Sequence, residues 1–207
     1  MWCRSSALTV ILENKIMEEA ELNLFSTLAE DTLKTALWKR FNSTEDAPSP
    51  AFQSLRREGC TDSAASVTDE AIQQLLQQEI SSNAAFPQPS PNTLYFVFLP
   101  SGTTVVQGGS SSCQQFCGYH DAIGDRIFYA VMPFPDCPGC LGGVAQLDTL
   151  TSTTSHELCE AITDPIPGQG WYDDINGEIG DICAWKSKQL GKYAAQLEWS
   201  NQSDKCV

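Results

Sequence analysis

The chain of 207 residues is long enough to bury a sizeable core as one large domain or two small ones. Its 42% hydrophobic against 18% charged residues excludes a disordered polypeptide. The 26 acidic against 12 basic residues leave a net charge of −14, which phosphate backbones repel, so nucleic acid is excluded as a partner. No apolar run approaches the roughly 20 residues of a membrane-spanning helix, so no membrane partner is expected either.

The chain starts "MWCRSSALTVILENKIMEEAE", one basic residue and then the six-residue apolar run "ALTVIL" before acid. That run is too short for the core of a secretory leader. Either a leader has been removed or export is not the route. Leu22, Phe25, Leu28, Leu33 and Leu37 recur at helical spacing and predict one or two helices over 17–41. "NSTEDAPSPAFQ" is a polar loop. "SVTDEAIQQLLQQEI", with Ser66 and Thr68 as candidate caps and acids in the first turn, predicts a helix. "NAAFPQPSPN", with prolines at alternate positions, is another loop.

The period then changes. "TLYFVFLP" predicts a buried strand closed by Pro100, Ser101 and Gly102, with "TTVV" as its short partner. "DRIFYAVMP" predicts a second strong strand and "YAAQLEWS" a third, with a helix between them and no internal repeat. The order predicts an α+β fold, a mixed β-sheet packed against helices. Residues 1–90 form an N-terminal helical segment packed on or covering a core at 91–207, the whole most economically one domain.

Nine cysteines stand at 3, 60, 113, 117, 137, 140, 159, 183 and 206. "CQQFC" and "CPGC" could supply zinc thiolates, but such sites occupy short independent modules. Here the flanking segments read as strands and loops of a larger domain, which favours disulfides and an oxidising compartment. An odd count leaves a free thiol, with Cys3 and Cys159 as candidates.

"TSTTSHELCEAITDP" (151–165) carries one of only two histidines in the chain. On a helix, His156 and Glu160 lie one above the other, while Glu157 projects about 100° away. This is the logic of the H-E-x-x-H helix of zincins, where the intervening glutamate works on water at the metal. Glu160 stands in place of the second histidine, a harder but legitimate zinc ligand; the alternative is a solvated acidic helix face. "DPIPGQGWYDDINGEIGDICAW" adds Asp173, Asp174, Glu178 and Asp181, with Gly177 and Gly180 easing close backbone approach. Asp181 is 21 residues beyond Glu160, far enough for the chain to return to the helix, and is the candidate third ligand. "DING" is also an ordinary turn sequence. A calcium loop of the EF-hand type fails, because Tyr172 stands where the first carboxylate should be. His120, in "CQQFCGYHDAIG", is either a satisfied structural histidine, a fourth ligand, or a donor to an oxyanion.

"CGYH", "TTSHELCEAITDP", "GWYDDINGEIGDIC" and "QLEWSN" together resemble the Exordium-like, phosphate-induced family, secreted proteins best known from plant cell walls. The matching positions are Cys117, Gly118 and His120; His156, Glu157, Leu158 and Glu160; Asp164 and Pro165; Glu178, Ile179, Asp181 and Cys183; and Trp199. The resemblance covers about residues 93–206; residues 1–90 and the missing leader depart from it. It implies an extracellular location, a zincin-like metal helix and disulfides in place of zinc thiolates. The preferred bridge is Cys183 with Cys206, followed by the Cys113/Cys117 segment with Cys137/Cys140.

Two functions are therefore expected in competition. One is a zinc-dependent hydrolase, most concretely a peptidase acting on peptide or protein substrates, with His156, Glu160 and Asp181 as ligands. Glu157 is its general base, and His120 is a second catalytic residue or a fourth ligand. The other is a non-enzymatic secreted protein with a structural cation, Ca2+ being the alternative metal; a carbohydrate surface of tryptophans is a weaker third.

Overall fold

A computed structural model of the chain describes residues 8–13, 65–84 and 86–207. The helices expected over 17–41, together with Cys3 and Cys60, lie outside the described residues. The described residues form an α+β fold with three α-helices, α1 (Asp69–Ser82), α2 (Pro138–Leu141) and α3 (Gln146–Thr163), and several small sheets. None of these helices is long and apolar enough to cross a membrane.

The main sheet has four strands, β1 (Leu8–Glu13), β3 (Thr93–Phe98), β7 (Ile127–Met132) and β6 (Tyr119–Ile123), in that spatial order. β3 and β7 are parallel, while β1 on β3 and β6 on β7 are antiparallel. Every residue of β3 is buried because both faces of the sheet are covered, which is why "TLYFVF" is apolar after Thr93 and does not alternate. The two faces are built from alternate residues. Leu94, Phe96, Phe98, Ala130 and Met132 meet Leu150 of helix α3 (Gln146–Thr163) and Tyr193 of β9 (Tyr193–Gln196). Tyr95, Val97, Tyr119, Tyr129 and Val131 meet Ile72 and Leu76 of helix α1 (Asp69–Ser82) and Val67 of β2 (Ala65–Thr68).

α1 forms where its caps and spacing direct it: Thr68 accepts a hydrogen bond from the Ala71 amide at 3.4 Å, and Asp69, Ile72, Leu75 and Leu76 make its buried stripe. α3 is less helical by propensity, with a threonine-rich buried face, so packing holds it. Its end is fixed by Asp164, fully buried, whose carboxylate accepts the amides of Gly168 (2.6 Å), Gln169 (3.0 Å) and Gly170 (2.5 Å) and so reverses the chain.

Two sequence expectations are corrected. "TTVV" lies in β4 (Thr103–Gln107), which does not pair with the preceding strand. It runs parallel to β2 and antiparallel to β5 (Ser110–Ser111) in a separate three-stranded sheet, because both neighbouring positions on β3 are taken by β1 and β7. "YAAQLEWS" is not one strand: β9 pairs with β8 (Ser187–Leu190), the chain breaks at Leu197–Glu198, and β10 (Trp199–Ser200) pairs with β11 (Lys205–Cys206). The disulfides are Cys113–Cys137, Cys117–Cys140 and Cys183–Cys206, and Cys159 is a buried free thiol.

On the face away from α3, buried Asp69 accepts the hydroxyls of Tyr119 (2.6 Å) and Tyr129 (2.8 Å) and the amide of Gln73 (2.7 Å). Asp69→Ala would leave these donors buried and unmatched, a loss of about 3 kcal/mol. Denaturant unfolding should show that drop.

Candidate metal centre

One turn of α3 brings His156 Nε2 to 3.0 Å from Glu160 Oε2. Asp181, the first residue of a short 3-10 helix (Asp181–Cys183), points Oδ1 at the same ring nitrogen from 3.8 Å. One ligand atom from each of His156, Glu160 and Asp181 lies within 4.8 Å of the others, as the spacing of the motifs predicts. An imidazole and two carboxylates are a donor set for zinc with coordination positions to spare.

The approach to α3 depends on glycine. Asp173 Oδ1 accepts the amides of Ile175 (3.1 Å) and Asn176 (2.8 Å), so "DING" is a turn as well as a lead-in to the ligand. Gly177 closes that turn at φ +93°, and a Cβ there would run into Asp181 Oδ2. The Glu178 amide donates to the same Oδ2 at 3.1 Å, leaving Oδ1 for His156. At Gly180 a Cβ would stand 2.5 Å from His156 Nδ1 and 2.9 Å from Glu160 Oε1. Only a bare backbone can lie this close to both ligands.

His120 arrives from β6. Its register partner on β7 is Ala130, so its side chain emerges on the face that packs against α3. Nε2 lies 2.9 Å from the Asp164 carbonyl and 3.5 Å from Glu178 Oε1; Nδ1 faces Glu157 Oε2 at 3.5 Å and Glu160 Oε2 at 3.7 Å. His120, Glu157 and Glu160 thus make a second possible ligand group, sharing Glu160 with the first.

The two groups differ in access. A cleft of about 460 Å3 is lined by His156, Glu157 and Asp181. His120 and Glu160 do not line it, and the His120 side chain is 3% exposed against 49% for Asp181. The group containing Asp181 therefore opens to solvent, and the one containing His120 is buried and reaches the cleft only through Glu157.

Glu160 Oε1 and Glu178 Oε1 are buried without a hydrogen-bond partner, as are both oxygens of Glu198. Burial raises the pKa of Glu160, pushes Glu178 up to about 7 and Glu198 up to about 8. Burial opposes charge on the histidines, but the surrounding carboxylates outweigh it. The Glu157 hydrogen bond and the Glu157 and Glu178 charges carry His120 to about 9; the Glu160 hydrogen bond and the charges of Glu157, Glu160 and Glu198 carry His156 to about 10. Unmatched carboxylate oxygens around proton-laden imidazoles are the electrostatics of a place suited to a cation.

Two residues of this centre escaped the sequence reading. The Gln196 side chain lies 2.7 Å from His156 Nδ1 and donates to the Gly180 carbonyl at 2.9 Å, bracing ligand and turn together. Glu198 sits near His156, Glu160 and the Cys159 thiol. Their only sequence signal was polar residues inside the apolar run "YAAQLEWS". The cysteine group Cys113, Cys137 and Cys140 also has metal-like spacing, but its sulfurs are in disulfides. No protein-family model, no curated protein and no solved structure matches the chain.

The five shifted groups, His120, His156, Glu160, Glu178 and Glu198, all hold protons more tightly when folded. His120 and His156 contribute stability that is complete below about pH 6.5 and is lost as pH rises through about 9 and 10. Glu178 and Glu198 act in the same sense from about pH 4.5 up through about 7 and 8. The melting temperature of chelator-treated protein should therefore fall from about pH 6 to about pH 9, by roughly 5 °C or more. Saturating Zn2+ should flatten that slope, which calorimetry in the two conditions would measure.

Proposed function

We propose that the chain is a zinc-dependent hydrolase with a zincin-like arrangement, most concretely a secreted peptidase of Exordium-like type. One observation carries the reading: His156, Glu160 and Asp181 converge beside a cleft that Glu157 also lines. An imidazole among the donors favours zinc over calcium, which takes oxygen ligands. A mixed sheet with a His-Glu-x-x-Glu helix packed on one face supports the zincin-like assignment, and three disulfides are compatible with an extracellular setting.

Zn2+ held by these residues supplies Lewis acidity, lowering the pKa of water and polarising a carbonyl oxygen. The chain's own groups do the rest. Glu157 takes the proton from the attacking water and returns it to the leaving amine. His120, on the buried side, holds the Glu157 and Glu160 carboxylates in place and balances their charge. Gln196 and Gly180 fix the His156 ring.

The second reading, a structural cation, would use the buried group His120, Glu157 and Glu160. Two variants separate the two readings. Glu157→Gln should keep about one zinc per chain by elemental analysis and lose peptide cleavage by 100-fold or more (on the order of the general-base contribution). Asp181→Ala should lose the zinc. Loss of metal from Glu157→Gln, with retention in Asp181→Ala, would assign the ion to the buried group and end the hydrolase reading.

A further inference from the structure

The cleft beside His156 has a composition that selects its occupant. Asp148, Glu157 and Asp181 contribute negative charge to its lining, and no described lining residue is Lys or Arg. His156, with any cation it holds, is the one positive element of that lining, so an acidic side chain placed along the cleft away from it would meet repulsion, whereas a neutral or basic one would not.

The apolar part of the lining is unusual in where it is exposed. Trp185 is 71% exposed and Val144 is 51% exposed, and both line the cleft. Trp185 also has φ +67°, in the left-handed region where a bulky side chain is disfavoured. The chain around it is over-determined. Ala184 donates to the Asp181 carbonyl at 3.1 Å, Lys186 to the Cys183 carbonyl at 3.0 Å, and Cys183 is bridged to Cys206. A strained backbone, locked on both sides, thus presents a tryptophan to solvent four residues after a candidate ligand. Neither core packing nor turn formation explains a tryptophan there.

Resting on the peptidase reading above, we infer that Trp185 forms a specificity subsite, and that the cleft takes an extended peptide carrying an aromatic or large aliphatic side chain against Trp185 and no acidic residue nearby. The apolar surface is divided among Trp185, Val144, Leu141 and Phe116. Aliphatic and aromatic side chains mixed in this way suit the apolar side chains of an extended peptide more than the single flat face of a sugar ring.

The test uses the full, zinc-loaded chain and capped hexapeptide pools fixed in turn as Phe, Leu, Ala, Lys or Glu at each position. Wild-type protein should cleave the Phe and Leu pools best and the Glu pools least. Trp185→Ala should reduce the Phe-to-Ala preference roughly five- to tenfold, mainly through KM, with zinc content unchanged, and Trp185→Phe should restore most of it. Binding of the same peptides, and of cellohexaose and chitohexaose, is measured by calorimetry on Glu157→Gln. Peptides that bind this variant with a Trp185-dependent preference, while wild-type protein cleaves none, would sustain the subsite and sink the hydrolase reading. A Phe-to-Ala ratio indifferent to Trp185, binding of the oligosaccharides instead of peptides, or no peptide bound or cleaved would overturn the inference.

Discussion

The Glu160 carboxylate is buried where two imidazoles reach it, His156 at 3.0 Å and His120 at 3.7 Å, and one of its oxygens has no hydrogen-bond partner at all. Burying a charge is expensive unless it is compensated. Glu157, Glu178 and Glu198 crowd the same space, and burial pushes Glu160, Glu178 and Glu198 up, so these carboxylates compete for the charge that two imidazoles can balance. A divalent cation held by His156, Glu160 and Asp181, as proposed, would relieve that crowding and displace the second proton of His156. The surrounding architecture serves this one arrangement: an alanine faces His120 across the strand pair, glycines let the 177–181 turn lie on α3, and Asp164 ends the helix abruptly.

The disulfides fit the same account. Cys183–Cys206 ties the turn after Asp181 to the final strand, while Cys113–Cys137 and Cys117–Cys140 hold the far wall of the cleft. With sequence separations of 24, 23 and 23, each bridge removes about 3 kcal/mol of unfolded-chain entropy. Ligand-bearing loops with little secondary structure are thereby kept in register with the helix. Cys159, by contrast, is buried inside α3, where its thiol is held well above its usual pKa by burial and packs as a small apolar group.

Local periodicity made some of the molecule legible. The i, i+4 relation of His156 and Glu160 needs nothing beyond helix geometry, and the glycines near Asp181 announced a close approach. The capped helix at Asp69–Ser82 and the strand at Thr93–Phe98 were equally open to reading. What failed were relations between segments. His120 joins the centre through the register of β6 on β7, and six residues of "LTVILE" became an edge strand only because β3 had a free side. Strand partners are chosen by the whole sheet, so "TTVV" could not reveal that its neighbour was β2. Gln196 and Glu198 look like interruptions in an apolar run until β9 is laid against α3, where they meet His156.

The central claim is positional, and diffraction at the zinc absorption edge from zinc-soaked crystals addresses it most directly. One anomalous peak within about 2.0–2.2 Å of His156 Nε2, a Glu160 oxygen and Asp181 Oδ1, with a side facing the cleft, is the predicted result. A peak enclosed by His120, Glu157 and Glu160, or none within reach of His156, would contradict it.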